Sequence, residues 1–586
     1  MTAFVRNLPF GASLLAKDRT RFRLWAPSQA SVSIEIDGKL SAMRRVPDGW
    51  FEAEARCGAG TAYRYRLDDG LAVPDPASRA QADDVHGPSL VVDPAAYRWR
   101  HPGWRGRPWH ETVLYELHAG TFGGFAGVQK KLSQLKELGI TAVELMPIND
   151  FPGARNWGYD GVLPFAPDRR YGTPDELKAL VDAAHEHELM IFLDVVYNHF
   201  GPDGNYLASY APQFFRDDVK TPWGPAIDFR QRQVRRYFTE NALYWLMEYR
   251  FDGLRFDAVH AITEADWLDE MAAEVRATVE HGRHVHLVLE HDGNVAAHLR
   301  RNFDAQWNDD AHHVLHVMLT GEREGYYADY ADSAAKRLAR ALSEGFVYQG
   351  EPSAHRNGEP RGTPSADLPP TAFVLFLQNH DQIGNRALGE RLTVLADPHA
   401  LEAAIALQLL CPQIPLVFMG EEDASPTPFQ FFTDHHGVLA EAVREGRRRE
   451  FAGFAAFADP QRRAEIPDPN APSTFERSRP RADPDRGLAR RALYRRLLAI
   501  RSEVIMPRLR GARAIRAEAI GELAAIARWR MGDGATLTIA TNLGPDPCRF
   551  QHPDGNLIFE IRDGAFARRG QLAGRSTVAF LETAGE

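Results

Sequence analysis

The pattern of apolar and polar positions changes character twice along the chain. Residues 1–95 carry short runs rich in Val, Ile, Phe and Tyr (FRLWAPSQASVSIEI, GWFEAEA, TAYRYRLDDG), punctuated by Gly, Pro and Asp at hairpin-like intervals. This spacing predicts a small β-sandwich. RWRHPGWRGRPWHE (98–111) reads as the linker out of it. From 113 onward, short apolar runs alternate with amphipathic helical stretches. The runs are VLYELHAG (113–120), TAVELMP (141–147), MIFLDVVYNH (190–199), GLRFDAVH (253–260), HVHLVLEHD (284–292), FDAQWND (303–309), TAFVLFLQNHD (371–381) and PLVFMGEE (415–422). Near-continuous apolar runs are those of strands buried on both faces. Eight strand–helix units predict a (β/α)8 barrel, with a doubly wound open sheet as the alternative. After about 505 the pattern returns to β, with a hairpin across Gly532-Asp533-Gly534. The expected organisation is therefore α/β: an N-terminal β-sandwich (1–97), a catalytic barrel with a short insertion after its third strand (98–504), and a small C-terminal β domain (505–586). EPSAHRNGEPRGTPSADLPP (351–370) reads as a long surface loop, and the Arg-rich stretch from REGRRREF (444–451) to about 495 as solvated faces and loops.

Composition narrows the function. The 586 residues are 44% hydrophobic and 25% charged, the balance of a soluble globular protein, and the formal net charge of −10 disfavours a nucleic-acid partner. Cys57, Cys411 and Cys548 lie far apart and outside any CxxC pattern, so neither a disulfide framework nor a zinc site is indicated. The start, MTAFVRNLPFGASLLAKDR, has no long apolar run or clear cleavage site, and no later stretch is long and apolar enough to span a bilayer. The expectation is a cytoplasmic protein with no membrane contact.

The barrel's strand ends carry the chemistry. In such barrels the active groups project from the C-terminal ends of the strands. Those ends supply Glu116 and His118; Asp194, Asn198 and His199; Arg255, Asp257 and His260; Glu290 and Asp292; Asn308 and Asp309; His380 and Asp381; Glu421 and Glu422. Within GLRFDAVH, Arg255 and Asp257 share one face of a strand, and two charges in an apolar run are costly unless paired or functional. A structural ion pair would explain them alone; acids at most strand ends of one ring would repel one another without a further purpose. No GxSxG elbow, reactive Cys–His setting, P-loop or strand-coupled GxGxxG is present. A carboxylate cluster can bind a divalent metal or cleave glycosidic bonds. Trp157, Tyr159, Phe200, Tyr206, Trp223, Phe229 and Trp307 in or beside the same loops favour sugar, although each taken singly is better explained by core packing.

Four segments, DVVYNH (194–199), GLRFDAVH (253–260), LVLEHD (287–292) and QNHDQ (378–382), resemble the alpha-amylase family of glycoside hydrolases, in that family's order on strands three, four, five and seven. The resemblance implies that Asp257 is the nucleophile, Glu290 the general acid/base and Asp381 the second aspartate, which binds sugar hydroxyls. It implies that Arg255 lies beside the nucleophile, that His199 and His380 hydrogen-bond the sugar, and that Tyr159 in WGYDG stacks on it. Arg255 would keep Asp257 ionised, whereas Glu290 has no cation adjacent in sequence and would hold its proton. Retention of configuration follows, with carboxyls about 5–5.5 Å apart. YELHAGTF (115–122), NDDAHH (308–313), GYYADY (325–330), FVYQGEPSAHRNGEPRG (346–362) and PFQFFTDH (428–435) resemble the trehalose-releasing members more narrowly. The implied reaction is hydrolysis of the α-1,4 bond between a maltooligosaccharide and a terminal trehalose. An enzyme that makes that substrate is its implied pathway partner. Transfer to a glucan hydroxyl, as in branching enzymes, and a catalytically silent carbohydrate-binding protein are the alternatives. NDDAHH and HDQIGN (380–385) are expected substrate-binding loops, which adds Asn308, Asp309, His312, His313, Gln382 and Asn385 as candidate substrate contacts beside His260 at the end of strand four; for His312 and His313 packing is an equal reading. Asn198 matches an asparagine that binds calcium in many amylases. The short stretch from 200 to 252 leaves little room for their calcium-binding subdomain, so no metal and no cofactor is expected, and Asp194 is read as a scaffold residue that orients the site.

Overall fold

The computed structural model describes residues 2–561 and 570–583, with the backbone alone at 566–567. All eight apolar runs form strands of one closed parallel barrel: β1 (Leu114–Leu117), β2 (Ala142–Leu145), β3 (Met190–Val195), β4 (Gly253–Phe256), β5 (His286–Leu289), β6 (Ala305–Trp307), β7 (Phe373–Phe376) and β8 (Ile414–Phe418). The ring closes in register where Leu114 on β1 faces Leu416 on β8. The open-sheet alternative is excluded by that pairing. Connections are helical, as the amphipathic stretches require, among them α1 (Phe125–Leu138), α2 (Pro174–Glu186), α3 (Arg232–Met247), α4 (Asp266–Thr278), α5 (Asp309–Thr320) and α6 (Pro398–Leu410). The exception is the β5–β6 connection, which holds a single 3-10 turn, His298–Arg300, so the barrel has eight strands but not eight strand–α-helix units.

Side chains, not solvent, fill the barrel. Leu114, Met190, Phe192, Val288, Trp307, Phe376 and Leu416 form its inner core, each at most 1% exposed. The Phe192 ring explains the glycine that opens GLRFD: a Cβ on Gly253 would come within 2.1 Å of that ring. The polar residues of the strands are therefore confined to the strand ends, where the core stops.

Two antiparallel sheets precede the barrel. One runs through Gly11–Ala16, Arg19–Trp25, Trp50–Ala55 and Arg44–Val46; the other through Lys39–Ala42, Ser33–Ile36, Ala62–Arg66 and Ala72–Val73, with Ser89–Leu90 on its edge. After the barrel comes a five-stranded antiparallel sheet that includes the hairpin Ala524–Arg530 and Thr536–Asn542 across Gly532-Asp533-Gly534. The insertion after β3 holds a small hairpin, Phe215–Thr221 with Gly224–Ile227. The 351–370 segment is largely exposed, as its reading as a surface loop expects, but it is tied down at two points. It forms a short hairpin (Glu351–Pro352 with Pro360–Arg361), and Arg361 is buried, donating to Asp310 Oδ1 at 2.7 Å and to the Asp292 carbonyl at 2.8 Å. REGRRREF is the end of a mostly solvated helix, α7 (Gly437–Glu450), in which Arg447 alone is buried. No helix among the described residues is long and apolar enough to cross a membrane.

Candidate active site

At the C-terminal mouth of the barrel the charges meet on one guanidinium. Arg255 is fully buried at the end of β4, its planar group lying 4.1 Å over the Trp307 ring. Its Nη1 donates to Asp194 Oδ2 (2.7 Å) and Asp257 Oδ1 (3.0 Å), and its Nη2 lies 2.7 Å from Glu290 Oε2. Three strand ends, β3, β4 and β5, are thus gathered by a single cation. Trp307 is the platform of that cation, not a sugar contact.

A second charged line enters from β1 and β7. Glu116 is buried at the end of β1. It accepts the His380 backbone N–H (3.1 Å) and faces His380 Nδ1 at 2.5 Å. Burial pulls the His380 pKa down, but Asp381 and Glu116 outweigh it and raise it to about 9, so the ring is an imidazolium at neutral pH. His380 Nε2 then donates to the Tyr159 hydroxyl (2.8 Å), which donates to Asp194 Oδ2 (2.7 Å). The Tyr159 and His380 rings stack at 5.0 Å. A continuous polar chain, Glu116–His380–Tyr159–Asp194–Arg255–Asp257, spans the pocket floor.

Asp381 stands beside this chain, with His380 Nε2 at 3.5 Å and the Asn385 amide donating to Oδ1 at 3.2 Å. Asp309 is half-buried, with Gln382 Nε2 at 3.4 Å, and its pKa rises to about 7 through burial and the nearby Glu290.

The proton distribution differs from the expectation that Glu290 lacks a cation. Arg255 touches both catalytic candidates, and the Ala258 N–H donates to Glu290 Oε2 at 2.8 Å. Ala258 reaches it through a left-handed backbone (φ 40°, ψ 45°), an uncommon conformation for a residue with a Cβ. Burial would raise Glu290, but Arg255 and that N–H hold its pKa down. Asp257 is raised well above the carboxylate range, by burial first and by the Glu290 charge next. Asp194 rises to about 6 through burial, against the pull of Arg255. Asp257 and Glu290 thus share one buried guanidinium and titrate as a coupled pair, Asp257 pushed up and Glu290 held down.

The remaining candidates separate clearly. His199 is buried, with Nε2 at 2.9 Å from the Tyr159 carbonyl and Nδ1 at 2.9 Å from Asn198 Oδ1; burial lowers its pKa to about 4. The half-exposed Trp223 stacks on it at 4.9 Å. His260 is exposed at the rim, where its Nδ1 accepts the Asp292 N–H at 3.4 Å. NDDAHH is no loop: it begins α5. Asn308 caps that helix, accepting from the Ala311 N–H (3.2 Å) and donating to the Gly345 carbonyl (2.9 Å), and is fully buried. His312 is buried against Phe376, and His313 is buried against Tyr326 (4.6 Å), so both are packed inside. Gln382 is half-buried and accepts from the Tyr326 hydroxyl at 3.3 Å; Asn385 is exposed. Phe200, Phe229 and Trp157 are buried packing residues, whereas Tyr206 is half-exposed. His118 holds the loop after β1, its Nδ1 accepting the Thr121 N–H at 3.1 Å. Glu421 and Glu422 do not join the ring, because they turn outward into protein contacts.

One residue escaped the sequence reading. Glu144 on β2 is buried, neither side-chain oxygen has a hydrogen-bond partner among the described residues, and burial, then Glu116 and Asp194, push its pKa well above the ordinary value. Its signal was present as the lone charge in TAVELMP. Among the described residues no group of three or more His, Cys, Asp or Glu side chains is arranged to hold a metal ion.

A closed barrel whose mouth gathers buried carboxylates around one arginine defines a glycoside hydrolase of the alpha-amylase class. The model of the alpha amylase catalytic domain matches residues 102–221, and a domain of unknown function, DUF3459, matches 512–580. Malto-oligosyltrehalose trehalohydrolases are similar over most of the chain. The Deinococcus radiodurans protein is 44% identical over 506 residues, 85% of this chain and 82% of its own length. The Rhizobium sp. M-11 protein is 39% identical over 573 residues, 93% of this chain and 94% of its own. The chain belongs to the malto-oligosyltrehalose trehalohydrolase family. A 1,4-alpha-glucan branching enzyme of Photobacterium profundum is 34% identical over 43% of this chain. Among solved structures, a Salmonella typhimurium chain described as an alpha amylase superposes with a TM-score of 0.93 at 44% identity, covering 99% of this chain and 100% of its own. A pullulanase from Anoxybacillus sp. LM18-11 shares the fold, with a TM-score of 0.73 at 17% identity over 99% of this chain and 88% of its own.

Proposed function

We propose that this chain hydrolyses the α-1,4-glucosidic bond next to the terminal trehalose of maltooligosyl trehalose, releasing trehalose and a shortened maltooligosaccharide. The observation that carries this is the single Arg255 guanidinium holding Asp257 and Glu290 side by side, in a chain that shares most of its length with the trehalohydrolases.

Asp257 is the nucleophile, Glu290 the acid and then the base, and Asp381 binds hydroxyls of the sugar being cleaved. His380 and Tyr159 form the wall against which that sugar packs. In the ligand-free pocket Arg255 and the Ala258 N–H both favour the ionised form of Glu290, so substrate arrival has a defined task. The glycosidic oxygen must draw Glu290 off Arg255 and the Ala258 N–H. Away from those partners Glu290 holds the proton of the pair, while Asp257 stays ionised against Arg255 Nη1, which also donates to Asp194. Attack by Asp257 on the anomeric carbon then breaks the glycosidic bond, and Glu290 delivers its proton to the departing trehalose oxygen. Water, deprotonated by Glu290, opens the glycosyl ester with net retention. The enzyme that supplies the substrate is one that converts the reducing end of a maltooligosaccharide into a trehalose unit.

Incubation with maltotriosyl trehalose and, separately, with maltopentaose tests this reading. Rapid trehalose release with slow attack on maltopentaose is expected. Equal or faster cleavage of maltopentaose would mark a general amylase, and bond rearrangement without new reducing ends would mark a branching enzyme.

A further inference from the structure

A cavity of about 670 Å³ opens beside the catalytic pocket, between the segment after β7, the turn at Gly325–Tyr327 and the segment after α7. This is the size of a site for a small ligand. Its floor is aromatic: Phe451 is buried, and Phe454, Phe457 and Tyr326 are each half-exposed toward the opening. Its wall is polar: Arg386 donates to both carboxylate oxygens of Glu322, at 2.7 and 2.8 Å. Aromatic faces flanked by planar charged groups suit a sugar, which has apolar ring faces and equatorial hydroxyls.

Two residues that line the cavity touch residues of the catalytic pocket. Asn385, which lines it, donates to Asp381, and Tyr326, which also lines it, donates to Gln382. It therefore borders the pocket on the Asp381 side. Two residues after Glu290, the proton donor to the leaving trehalose, Asp292 carries His260, Arg356 and Arg361, none of which lines this cavity. We infer that the cavity binds distal glucose units of the maltooligosyl chain, the part of the substrate retained on the enzyme, and so sets the preference for chain length. This rests on the trehalose-releasing reading of the active site.

The test compares kcat/KM for glucosyl, maltotriosyl and maltopentaosyl trehalose in wild type and in a Phe454→Ala/Phe457→Ala double variant. Wild type should improve with chain length. The double variant should lose about five- to tenfold on maltopentaosyl trehalose and less than about twofold on glucosyl trehalose, which also checks its folding. Phe454→Trp with Phe457 intact should keep the length dependence. An equal loss on all three substrates would place the trehalose end in the cavity, and no loss would leave it without a role; either overturns the proposal. Trehalose release by wild type from the shortest substrate tests the active-site reading separately. The same length series on plain maltooligosaccharides reads the cavity even if that reading fails.

Discussion

Two pairs of acids stand at equivalent places in this barrel and meet opposite fates. Glu421 and Glu422 follow β8 as Asp257 and Glu290 follow β4 and β5. Glu421 accepts the Phe418 N–H and the Tyr494 hydroxyl, both at 3.0 Å. Glu422 accepts the Tyr115 hydroxyl (2.9 Å) and the Gly420 N–H (3.0 Å), and pairs with Lys131 at 3.1 Å. Every oxygen of the β8 pair is engaged by a protein donor. The other ring is under-supplied: several carboxylates compete for Arg255 and the His380 imidazolium, and Asp194 Oδ1 and both Glu144 oxygens have no hydrogen-bond partner. Buried acceptors are normally satisfied, so a cluster of under-supplied ones is the arrangement of a candidate functional site and not of a structural ion-pair network. The same contrast separates adjacent residues. Asp310 takes the Val347 and Tyr348 N–H groups, Arg361 and Tyr330, whereas Asp309 meets only a 3.4 Å contact from Gln382.

Substitutions should divide along that line. Asp257→Asn should lower kcat by on the order of 10⁴-fold or more with little change in thermal stability, measured by initial rates and a melting curve. Glu290→Gln should cost about 10²–10⁴-fold in kcat while substrate binding, followed by titration calorimetry, persists; near-normal turnover would remove Glu290 from its role. Glu116→Gln keeps an acceptor for His380 but removes the charge. His380 has a pKa raised to about 9, above its ordinary value, so its contribution is full below about pH 6.5 and is lost as pH rises through 9. The variant should move the alkaline limb of kcat/KM down by about one to two pH units and flatten the stability loss between pH 6.5 and 9. An unmoved limb would show that Glu116 merely holds the loop. Glu422→Leu should do the reverse of the first two: about 3 kcal/mol of lost stability by denaturant titration, because Lys131, Tyr115 and Gly420 N–H lose their acceptor, with kcat within about twofold for the folded fraction. Loss of catalysis without loss of stability there would dissolve the distinction between the two pairs.

What the sequence by itself determined is the barrel and the candidate reactive side chains at its strand ends. The strand periodicity, eight apolar runs and the acids at their ends are local properties, written in adjacent residues. Asp257 next to Arg255, and Glu290 after Leu287-Val288-Leu289, are legible for that reason. Tertiary structure alone decided which polar residues face the pocket. Asn308 and His312 could not be told from substrate ligands until α5 turned them inward against Gly345 and Phe376. Glu421 looked like Glu290 until Tyr494, 73 residues later, arrived on its oxygen. The Glu290–Arg255 contact and the left-handed Ala258 that aims an N–H at the same carboxylate gave Glu290 a cation and a donor that its sequence neighbours did not show. Hydrogen-bond satisfaction and the sharing of one buried cation depend on distances between residues far apart in the chain, and those distances exist only once the barrel has closed.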